Sequence, residues 1–451
     1  MTLHTRIPVI ITPIILLLLA IAFIVVATTR WKLPPFLTLL IGAGFYGLAS
    51  GLSAAETLAA ITGGLGKTVG GIGIVIACGC VIGAVLERTG AAMVMAQAVL
   101  RVVGRTRAVL AMGLTGGIVS VPVFCDSGYV VLAPLVRGMA RGAKQSVAAL
   151  AVALSMGLYV THCLVPPTPG PVAAAEAVRA DLGRVIGLGL LVAAVVIGVV
   201  CWFAVWAGRR WPIELAATET TTETAAVKPN VSVAVAFAPI VLPMMLIAWR
   251  SFFPGTPGSD GAALVAAIGH PNVALMLGAL LALVLARREG ATVLGEWSGE
   301  AMRTAGAIVL VTGAGGALGA VLRATPLADV IATTLSSLDL GRWNIVLPFL
   351  VAAGLKTAQG SSTVAIVTTA SLIAPLLGVL GLDQPTALAL TVLAIGAGAM
   401  TVSHVNDSYF WVVTQLTGLS VAQGYRLVTL ASGIAGLTGI ATIVMLRFVL
   451  G

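Results

Sequence analysis

Two short polar stretches interrupt long apolar segments and hold the side chains best suited to chemistry. The first is Pro122-Val123-Phe124-Cys125-Asp126-Ser127-Gly128, and the second is Ala358-Gln359-Gly360-Ser361-Ser362-Thr363-Val364. A carboxylate in hydrocarbon is costly, and an open backbone is tolerated there only where protein or a water-filled cavity covers it. We interpret the stretches as the tips of two re-entrant hairpins that meet at a solute site. Helix contacts lined by small residues are the alternative.

Asp126 and Asp407 are the acidic residues best placed to be buried. A buried carboxylate must be paired or protonated, so each is a candidate proton carrier, a hairpin cap or one half of a fixed charge pair. His162 and His404 occupy corresponding places in the two halves of the chain and titrate nearer neutral pH. We therefore predict that proton coupling involves Asp126, Asp407, His162 or His404.

Uncharged hydroxyl and amide groups near the tips suit a polyol or hydroxy acid, and the N-termini of broken helices would offer N–H groups to an anion. Lys356 precedes the second tip, where it could pair with a substrate carboxylate or extend toward the membrane interface. The predicted substrate-binding residues are Cys125, Asp126, Ser127, Thr161, His162, Gln359, Gly360, Ser361, Ser362, Thr363, His404, Asn406 and Asp407.

The composition determines the class of protein. The 451 residues are 59% hydrophobic and 9% charged, a balance that predicts an all-α polytopic membrane protein. Roughly ten to twelve spans of about 20 residues would fit this length. The net charge of +9 comes from cations between apolar runs, so nucleic-acid binding is not expected. The five cysteines lie in apolar segments, and neither disulfides, a metal site nor a cofactor is expected.

Several segments are assigned from local patterns. The run from Ile7 to Ala27 predicts a first transmembrane helix rather than a signal peptide. Residues 51–70 are rich in Gly, Ala and Thr and could lie along the interface, followed by a span from residue 71 to 86. The prolines of residues 165–171 predict a broken stretch. Residues 208–232 form a polar linker, and the neighbouring arginines place it in the cytoplasm.

An internal repeat divides the chain into halves at 1–207 and 233–451. Pro35 and Pro271 lie 236 positions apart (271 − 35), and the same offset aligns Gly79-x-x-x-Gly83 with Gly315-x-x-x-Gly319. Two homologous halves with discontinuous helices are typical of secondary transporters. Together with a cytoplasmic linker, the repeat predicts that the halves are inverted with respect to each other across the membrane.

The chain resembles the gluconate:proton symporters, or gluconate permeases, of the ion-transporter superfamily. The resemblance covers about residues 71–428 and is carried by four stretches. They are Pro122-Val123-Phe124-Cys125-Asp126, His162-Cys163-Leu164-Val165-Pro166-Pro167-Thr168-Pro169-Gly170-Pro171, Gln359-Gly360-Ser361-Ser362-Thr363-Val364-Ala365 and Ser403-His404-Val405-Asn406-Asp407.

The resemblance implies proton-coupled uptake of gluconate or a related small hydroxy- or sugar-acid anion, or of a small amino acid such as D-serine. It also implies a bacterial inner-membrane protein that is not an enzyme. Its scaffold and transport domain would move against each other as an elevator, and it would form a homodimer. Two other classes remain open. A channel would need a continuous polar pore, and a membrane-embedded enzyme would need a catalytic spacing that this sequence lacks.

Overall fold

The computed structural model describes residues 7–104, 107–143, 146–211, 213, 231–253, 260–327 and 341–450. All regular structure in these residues is helical, as the composition predicts. The α-helices are α1 (Ile7–Thr29), α2 (Pro35–Ala49), α3 (Ala54–Arg88), α4 (Ala91–Val103), α5 (Ala108–Val119), α6 (Cys125–Ala143), α7 (Val147–Leu164), α8 (Pro169–Val178), α9 (Leu182–Arg210), α10 (Val233–Phe252), α11 (Asp260–Ile268), α12 (Pro271–Leu285), α13 (Ala291–Arg323), α14 (Val346–Gln359), α15 (Ser362–Ile373), α16 (Pro385–Met400), α17 (Ser408–Thr417), α18 (Val421–Gly424) and α19 (Leu430–Leu450). Most of the predicted linker lies outside the described residues.

Fewer helices are long enough to cross a membrane than the total apolar length suggests. In the described residues six helical segments reach that length, or seven if the bent pair α11 and α12 forms one span. The expected ten to twelve spans therefore exceed the unbroken helices of this length among the described residues. Part of the apolar sequence lies instead in shorter helices such as α5, whose 12 residues rise only about 18 Å.

Residues 54–88 form a single helix, α3, rather than an interfacial stretch followed by a span. A capping box starts it, in which the Ser53 side chain accepts from the Glu56 N–H and the Glu56 carboxylate accepts from the Ser53 N–H. The glycines of residues 63–73 do not end the helix. Two of the six, Gly64 and Gly71, lie in close contact with α13 and with Glu176, and this packing offsets part of the stability lost by helix propensity. The prediction of an interfacial segment at 51–70 is wrong for this reason.

The proline-rich stretch interrupts the helix over a shorter range than predicted. Helix α7 ends at Leu164, and α8 already begins at Pro169. Pro169 and Pro171 fall in the first turn of α8, where the missing N–H groups have no intrahelical partner to lose. The break therefore covers only residues 165–168.

Helices α3 and α13 pack against each other along much of their length and run antiparallel. Near the start of α3, Gly64 lies against Gly316 and Ala320 of α13. Near its end, Arg88 forms an ion pair with Glu300, which lies early in α13. The glycines at the first contact allow the backbones to approach closely, as small residues do between membrane helices.

The order of helices in the first half recurs in the second. Helices α2 and α12 begin and end 236 positions apart, and α3 and α13 nearly so. The packing partners also exchange, since α2 packs on α13 while α12 packs on α3. Likewise α6 packs on α17 while α8 packs on α15. The broken helices of each half thus lie beside those of the other.

We predict that Gly64→Ala destabilises the protein through this crossing. A Cβ at Gly64 would lie 2.6 Å from both the Gly316 carbonyl oxygen and the Ala320 Cβ, so the α3–α13 contact must open. Overpacking of this kind costs about 1–3 kcal/mol. The measurement is the midpoint of thermal unfolding in detergent, which should fall.

Gly63→Ala is the matched control, because no atom lies within 4 Å of its added Cβ. This variant should keep or slightly raise the midpoint, since Ala has a helix propensity about 1 kcal/mol better than Gly. Equal midpoints for the two variants would show that the crossing tolerates the extra methyl group.

Candidate functional site

Four helix breaks meet in the interior of the protein. The break between α14 and α15 contacts the break between α16 and α17, where a Cβ on Gly360 would lie 2.1 Å from the Asn406 carbonyl oxygen. The break between α5 and α6 reaches the end of α7, where the rings of Phe124 and His162 are 5.9 Å apart. Gly79 of α3 lies against the carbonyl of Pro167 in the fourth break. The convergence places both predicted tips near one centre.

A buried ion pair between Lys356 and Asp407 occupies this centre. Lys356 Nζ donates to Asp407 Oδ2 at 2.6 Å and also to the Gly360 carbonyl, and its side chain is fully buried. Ser403 Oγ donates to the same carboxylate oxygen at 2.5 Å. The other oxygen accepts from the Tyr409 N–H at 3.1 Å and caps α17. The pair therefore joins α14, the break after α16 and the start of α17.

Asp407 thus combines two of the roles considered for it from the sequence, a helix cap and a fixed charge pair. The sequence pattern does not indicate Lys356 as the partner of Asp407. It predicts instead that Lys356 pairs with a substrate carboxylate or extends toward the membrane interface. A signal was present, because Lys356 is the one charged residue between Arg342 and Asp383. A cation within such a long uncharged stretch must find an anion if it is buried.

Tyrosines complete the wall around the ion pair. Tyr159 of α7 lies with its ring centroid 5.7 Å from Lys356 Nζ, close enough for a cation–π contact. Its hydroxyl donates to Asp407 Oδ2 at 3.5 Å. The Tyr159 ring stacks on that of Tyr409 at 5.1 Å, and the Tyr409 hydroxyl donates to the Ser155 carbonyl at 2.7 Å. These contacts fix α7 against α17.

Asp126 lies in the first turn of α6, within electrostatic reach of both Lys356 and Asp407. Its Oδ2 lies 3.8 Å from Cys125 Sγ, a long and weak hydrogen bond. Its Oδ1 is buried and has no hydrogen-bond partner in the described part of the chain. Asp126 is thus much less completely bonded than Asp407.

Two more predicted residues near the centre carry buried polar atoms that lack a partner among the described residues. They are His162, at Nδ1, and Gln359, at both the amide oxygen and the amide nitrogen. Buried polar groups in folded proteins are almost always hydrogen-bonded, so each exception needs an explanation such as water or a ligand. Asp126, His162 and Gln359 together form a set of open donors and acceptors beside the ion pair.

The remaining predicted residues divide into three groups by their surroundings. Ser361 caps α15 by accepting from the Val364 N–H at 3.3 Å, with Ser362 and Thr363 in the first turn that follows. His404 and Asn406 both donate to the Thr357 carbonyl, at 3.0 and 2.9 Å, and are more exposed than His162. Ser127 hydrogen-bonds the Glu87 carboxylate on α3, away from the ion pair, while Thr161 is buried in α7.

The backbone is strained beside the ion pair. Val402, between the end of α16 and Ser403, has φ +55°. A β-branched residue rarely adopts this left-handed conformation, and such strain costs about 1–3 kcal/mol. The break after α16 is therefore held in its conformation by the surrounding contacts.

Two cavities lie outside this centre. One of about 490 Å³ is bordered by α3, α8, α9, α10 and α12, and one of about 360 Å³ by α3, α8, α13, α15 and α16. Neither is lined by a predicted site residue. In the described part of the chain no group of three or more His, Cys, Asp or Glu residues could hold a metal ion.

The helix breaks and the apolar helices can be compared with known proteins. The sequence pattern of the GntP family permeases matches residues 12–449. The chain belongs to the GntP permease family. It is therefore a permease rather than an enzyme.

Several relatives match almost the whole chain. The gluconate permease of Pseudomonas aeruginosa is 33% identical, over 96% of this chain and 97% of the relative. The inner membrane permease YgbN of Escherichia coli K12 is 32% identical, over 95% and 97%. The D-serine transporter DsdX of the same strain is 32% identical, over 96% and 98%. Like YgbN, this GntP permease is a protein of the bacterial inner membrane, and its long apolar helices make it multi-pass.

A solved structure shares the fold. The YdaH transporter of Alcanivorax borkumensis superposes with a TM-score of 0.65, covering 88% of this chain and 89% of the transporter. At 15% sequence identity this likeness concerns the fold alone. It agrees with a helical membrane transporter.

We predict that Lys356→Met strongly destabilises this GntP permease. The substitution leaves the Asp407 carboxylate buried without its cation, and breaking one side of a buried pair costs about 3–5 kcal/mol. The double variant Lys356→Met/Asp407→Asn removes both charges and should recover part of the loss. Thermal unfolding in detergent measures both effects.

The exposed pair of Arg88 and Glu300 provides the control. These side chains are 42% and 60% exposed, and a surface pair contributes at most about 1 kcal/mol. Glu300→Gln should therefore change the unfolding midpoint little. A Lys356→Met variant as stable as Glu300→Gln would contradict a buried, mutually dependent ion pair.

We also predict that Gly360→Ala impairs transport by separating two helix breaks. Gly360 has φ +83°, and an added Cβ would clash with the Asn406 backbone. Gly418→Ala is the matched control, because Gly418 has φ +75° but no atom within 4 Å of an added Cβ. Both variants carry backbone strain, so a larger loss of solute exchange in Gly360→Ala isolates the contact. Equal losses would assign the effect to strain alone.

Proposed function

We propose that this GntP permease is a secondary active transporter that takes up gluconate, or a related small hydroxy- or sugar-acid anion, together with protons. The relative from Pseudomonas aeruginosa is named a gluconate permease, which supports this substrate class. The observation that carries the proposal is the set of buried, unpartnered polar atoms on Asp126, His162 and Gln359 beside the ion pair. A polyhydroxy acid could supply the missing donors and acceptors.

The surroundings of these atoms support an anion. Helices α6 and α15 both begin at the breaks, and the first turn of a helix presents N–H groups and a partial positive charge. The Lys356 charge is already balanced by Asp407. A substrate carboxylate would therefore bind backbone N–H groups, with the hydroxyls of Ser362 and Thr363 nearby, rather than an unpaired lysine.

Asp126 is the proposed coupling carboxylate. Anion uptake against an inside-negative potential costs about 2.3 kcal/mol per charge per 100 mV, so a symporter must bring in protons. The coupling group must bind a proton on one side and release it on the other. Asp407 is held by Lys356, Ser403 and Tyr409, whereas Asp126 has an open oxygen. His162 and His404 are the alternatives, together with Asp407.

We further propose that residues 1–207 and 233–451 are inverted halves joined by a cytoplasmic linker at 208–232. The antiparallel course of the equivalent helices α3 and α13 supports inversion. Under the 236-residue offset Gly64 corresponds to Glu300, and Ala320 corresponds to position 84. The contact of Gly64 with Ala320 therefore predicts a contact of Glu300 with position 84, and its observed partner, Arg88, is four residues away. Such an exchange is expected for a two-fold axis perpendicular to both helices.

An elevator motion and a homodimer are part of the same proposal. The long helices α3 and α13, with α2 and α12, would form the scaffold, and the broken helices would form the transport domain. This division is supported by the packing, since α2 and α12 contact the long pair while the broken helices contact each other. Large apolar side chains on α9, such as Trp202, are exposed and offer a surface to lipid or a second copy.

D-serine is the second candidate substrate, since one relative is named a D-serine transporter. Its ammonium group needs an acceptor, and the open oxygen of Asp126 could serve. Counterflow in proteoliposomes with gluconate and D-serine as separate solutes distinguishes the two. Transport of neither solute, or of inorganic ions at channel-like rates, would contradict the proposed function.

We predict that Asp126→Asn abolishes proton-driven accumulation and leaves solute exchange measurable. The amide keeps the size and part of the hydrogen bonding of the carboxylate but cannot carry a proton. Proteoliposomes with an imposed pH gradient measure accumulation, and counterflow without a gradient measures exchange. If Asp126→Asn still concentrates solute, Asp126 is not the coupling group. Asp407→Asn and the His162 and His404 variants would then be compared in the same assay.

A further inference from the structure

The cavity of about 360 Å³ lies between the long helices and the broken ones. Lys67 and Arg323 reach it from α3 and α13, and Arg179 reaches it from the end of α8. The Arg323 guanidinium folds back along its own helix, with Nη1 3.4 Å from the place where a Cβ on Gly319 would lie. The cation therefore lies against its own helix beside Gly319, which also lines the cavity.

These three cations are not neutralised by direct pairs. The cavity also contains Glu176 and Asp383, but no ion pair within 4 Å joins them to the cations among the described residues. The Glu176 carboxylate points toward Gly71 of α3, where an added Cβ would lie 2.8 Å from its Oε1. Arg179 and Arg323 are close enough for their like charges to repel. An anion between them would relieve this repulsion.

The cavity lies at the end of the molecule opposite the linker. Helix α9 ends at Arg209 and Arg210, next to the linker, and begins just after Arg179. Helix α13 likewise ends at Arg323 on the far side. With the linker in the cytoplasm the cations lie on the outer side, where the positive-inside rule does not favour them. Cations complement the C-termini of α8 and α13, but Lys67 is inside a helix and has no such role.

The cavity wall leads toward the helix breaks. Val367 and Ser371 of α15 line it, and α15 begins at Ser362 beside the ion pair. From Ser371 to Ser362 the helix rises about 14 Å. Helix α8 runs beside this part of α15, since Gly170 in its first turn packs against Ile366 of α15. A solute held by the cations is therefore about two and a half helical turns from the proposed substrate site.

We propose that Lys67, Arg179 and Arg323 form an anion-capture site at this cavity, which concentrates small carboxylates before they reach the helix breaks. The proposal rests on the proposed function for the identity of the anion. A cluster of one sign of charge in a cleft raises the local concentration of the opposite ion and its rate of association. The site binds weakly, because the Lys67 and Arg179 side chains are exposed to solvent, and it releases its ligand inward.

The charge of the site can be measured without transport. A cysteine introduced by Thr68→Cys, in the cavity wall, is treated with an anionic and a cationic methanethiosulfonate reagent at low ionic strength. The unsubstituted protein gives the background, since four native cysteines are buried and Cys78 is partly so. We expect the anionic reagent to react faster relative to the cationic one. The ratio should fall by about threefold or more when Arg179→Gln and Arg323→Gln are added.

The role in uptake is measured on the same variants in proteoliposomes. With gluconate as solute, Arg179→Gln/Arg323→Gln should raise KM by about three- to tenfold and leave the maximal rate nearly unchanged. Arg323→Lys should retain most of the effect of the native side chain. Arg303→Gln, which removes an exposed charge in the first half of α13, should change neither the reagent ratio nor KM.

The outcomes separate the two proposals. An unchanged reagent ratio in Arg179→Gln/Arg323→Gln overturns the capture site, because Glu176 and Asp383 then neutralise the cations. A lower ratio with an unchanged KM overturns it as well, since the attracted anion is not the transported one. If the native protein carries no small carboxylate while the ratio still depends on both arginines, the proposed function fails and the anion site stands.

Discussion

The buried pair of Lys356 and Asp407 is the interaction on which the interior depends. Each ion loses several kcal/mol of hydration on burial, and the loss is offset only when every remaining donor and acceptor is bonded. Here the Gly360 carbonyl, Ser403 and the Tyr409 N–H supply those bonds. Because these partners come from different helix breaks, the pair ties together segments that no regular helix connects.

The broken helices leave backbone N–H and C=O groups without intrahelical partners in the interior of the protein, where a continuous helix would bond them to one another. Regular helices satisfy their own N–H and C=O groups, whereas a helix end leaves up to four without a partner. The breaks here bond to one another where they can, as the Thr357 carbonyl does with His404 and Asn406. The open atoms of Asp126, His162 and Gln359 are what remains for a solute or water.

The long antiparallel helices provide the rigid element against which the breaks are arranged. Gly83 of α3 lies against the Pro122 carbonyl at the first break, and Gly315 of α13 lies against Val367 of α15. The repeated Gly-x-x-x-Gly motifs therefore mark the contacts between continuous and broken helices. Close contact through glycine needs no large apolar side chain.

The class of protein, its family and the places of two helix breaks, at residues 119–125 and 359–362, follow from the sequence alone. These features depend on local chemistry. Hydrocarbon excludes unpaired charges and open backbone, so polar residues within an apolar run indicate a site that protein or water covers. Short-range rules failed where close packing compensates for poor helix formers, as in α3. They also do not indicate how many spans are unbroken, since apolar composition does not say where a helix breaks.

Which polar groups pair with one another follows from the tertiary structure rather than from the sequence pattern. Lys356 and Asp407 are 51 positions apart, and Ser127 turns to Glu87 rather than to the ion pair. His162 is buried while His404 is partly exposed, although the repeat places them at equivalent positions. Burial and pairing depend on contacts between segments distant in the chain, and the free energy of a charge or hydrogen bond depends on those contacts rather than on residue type.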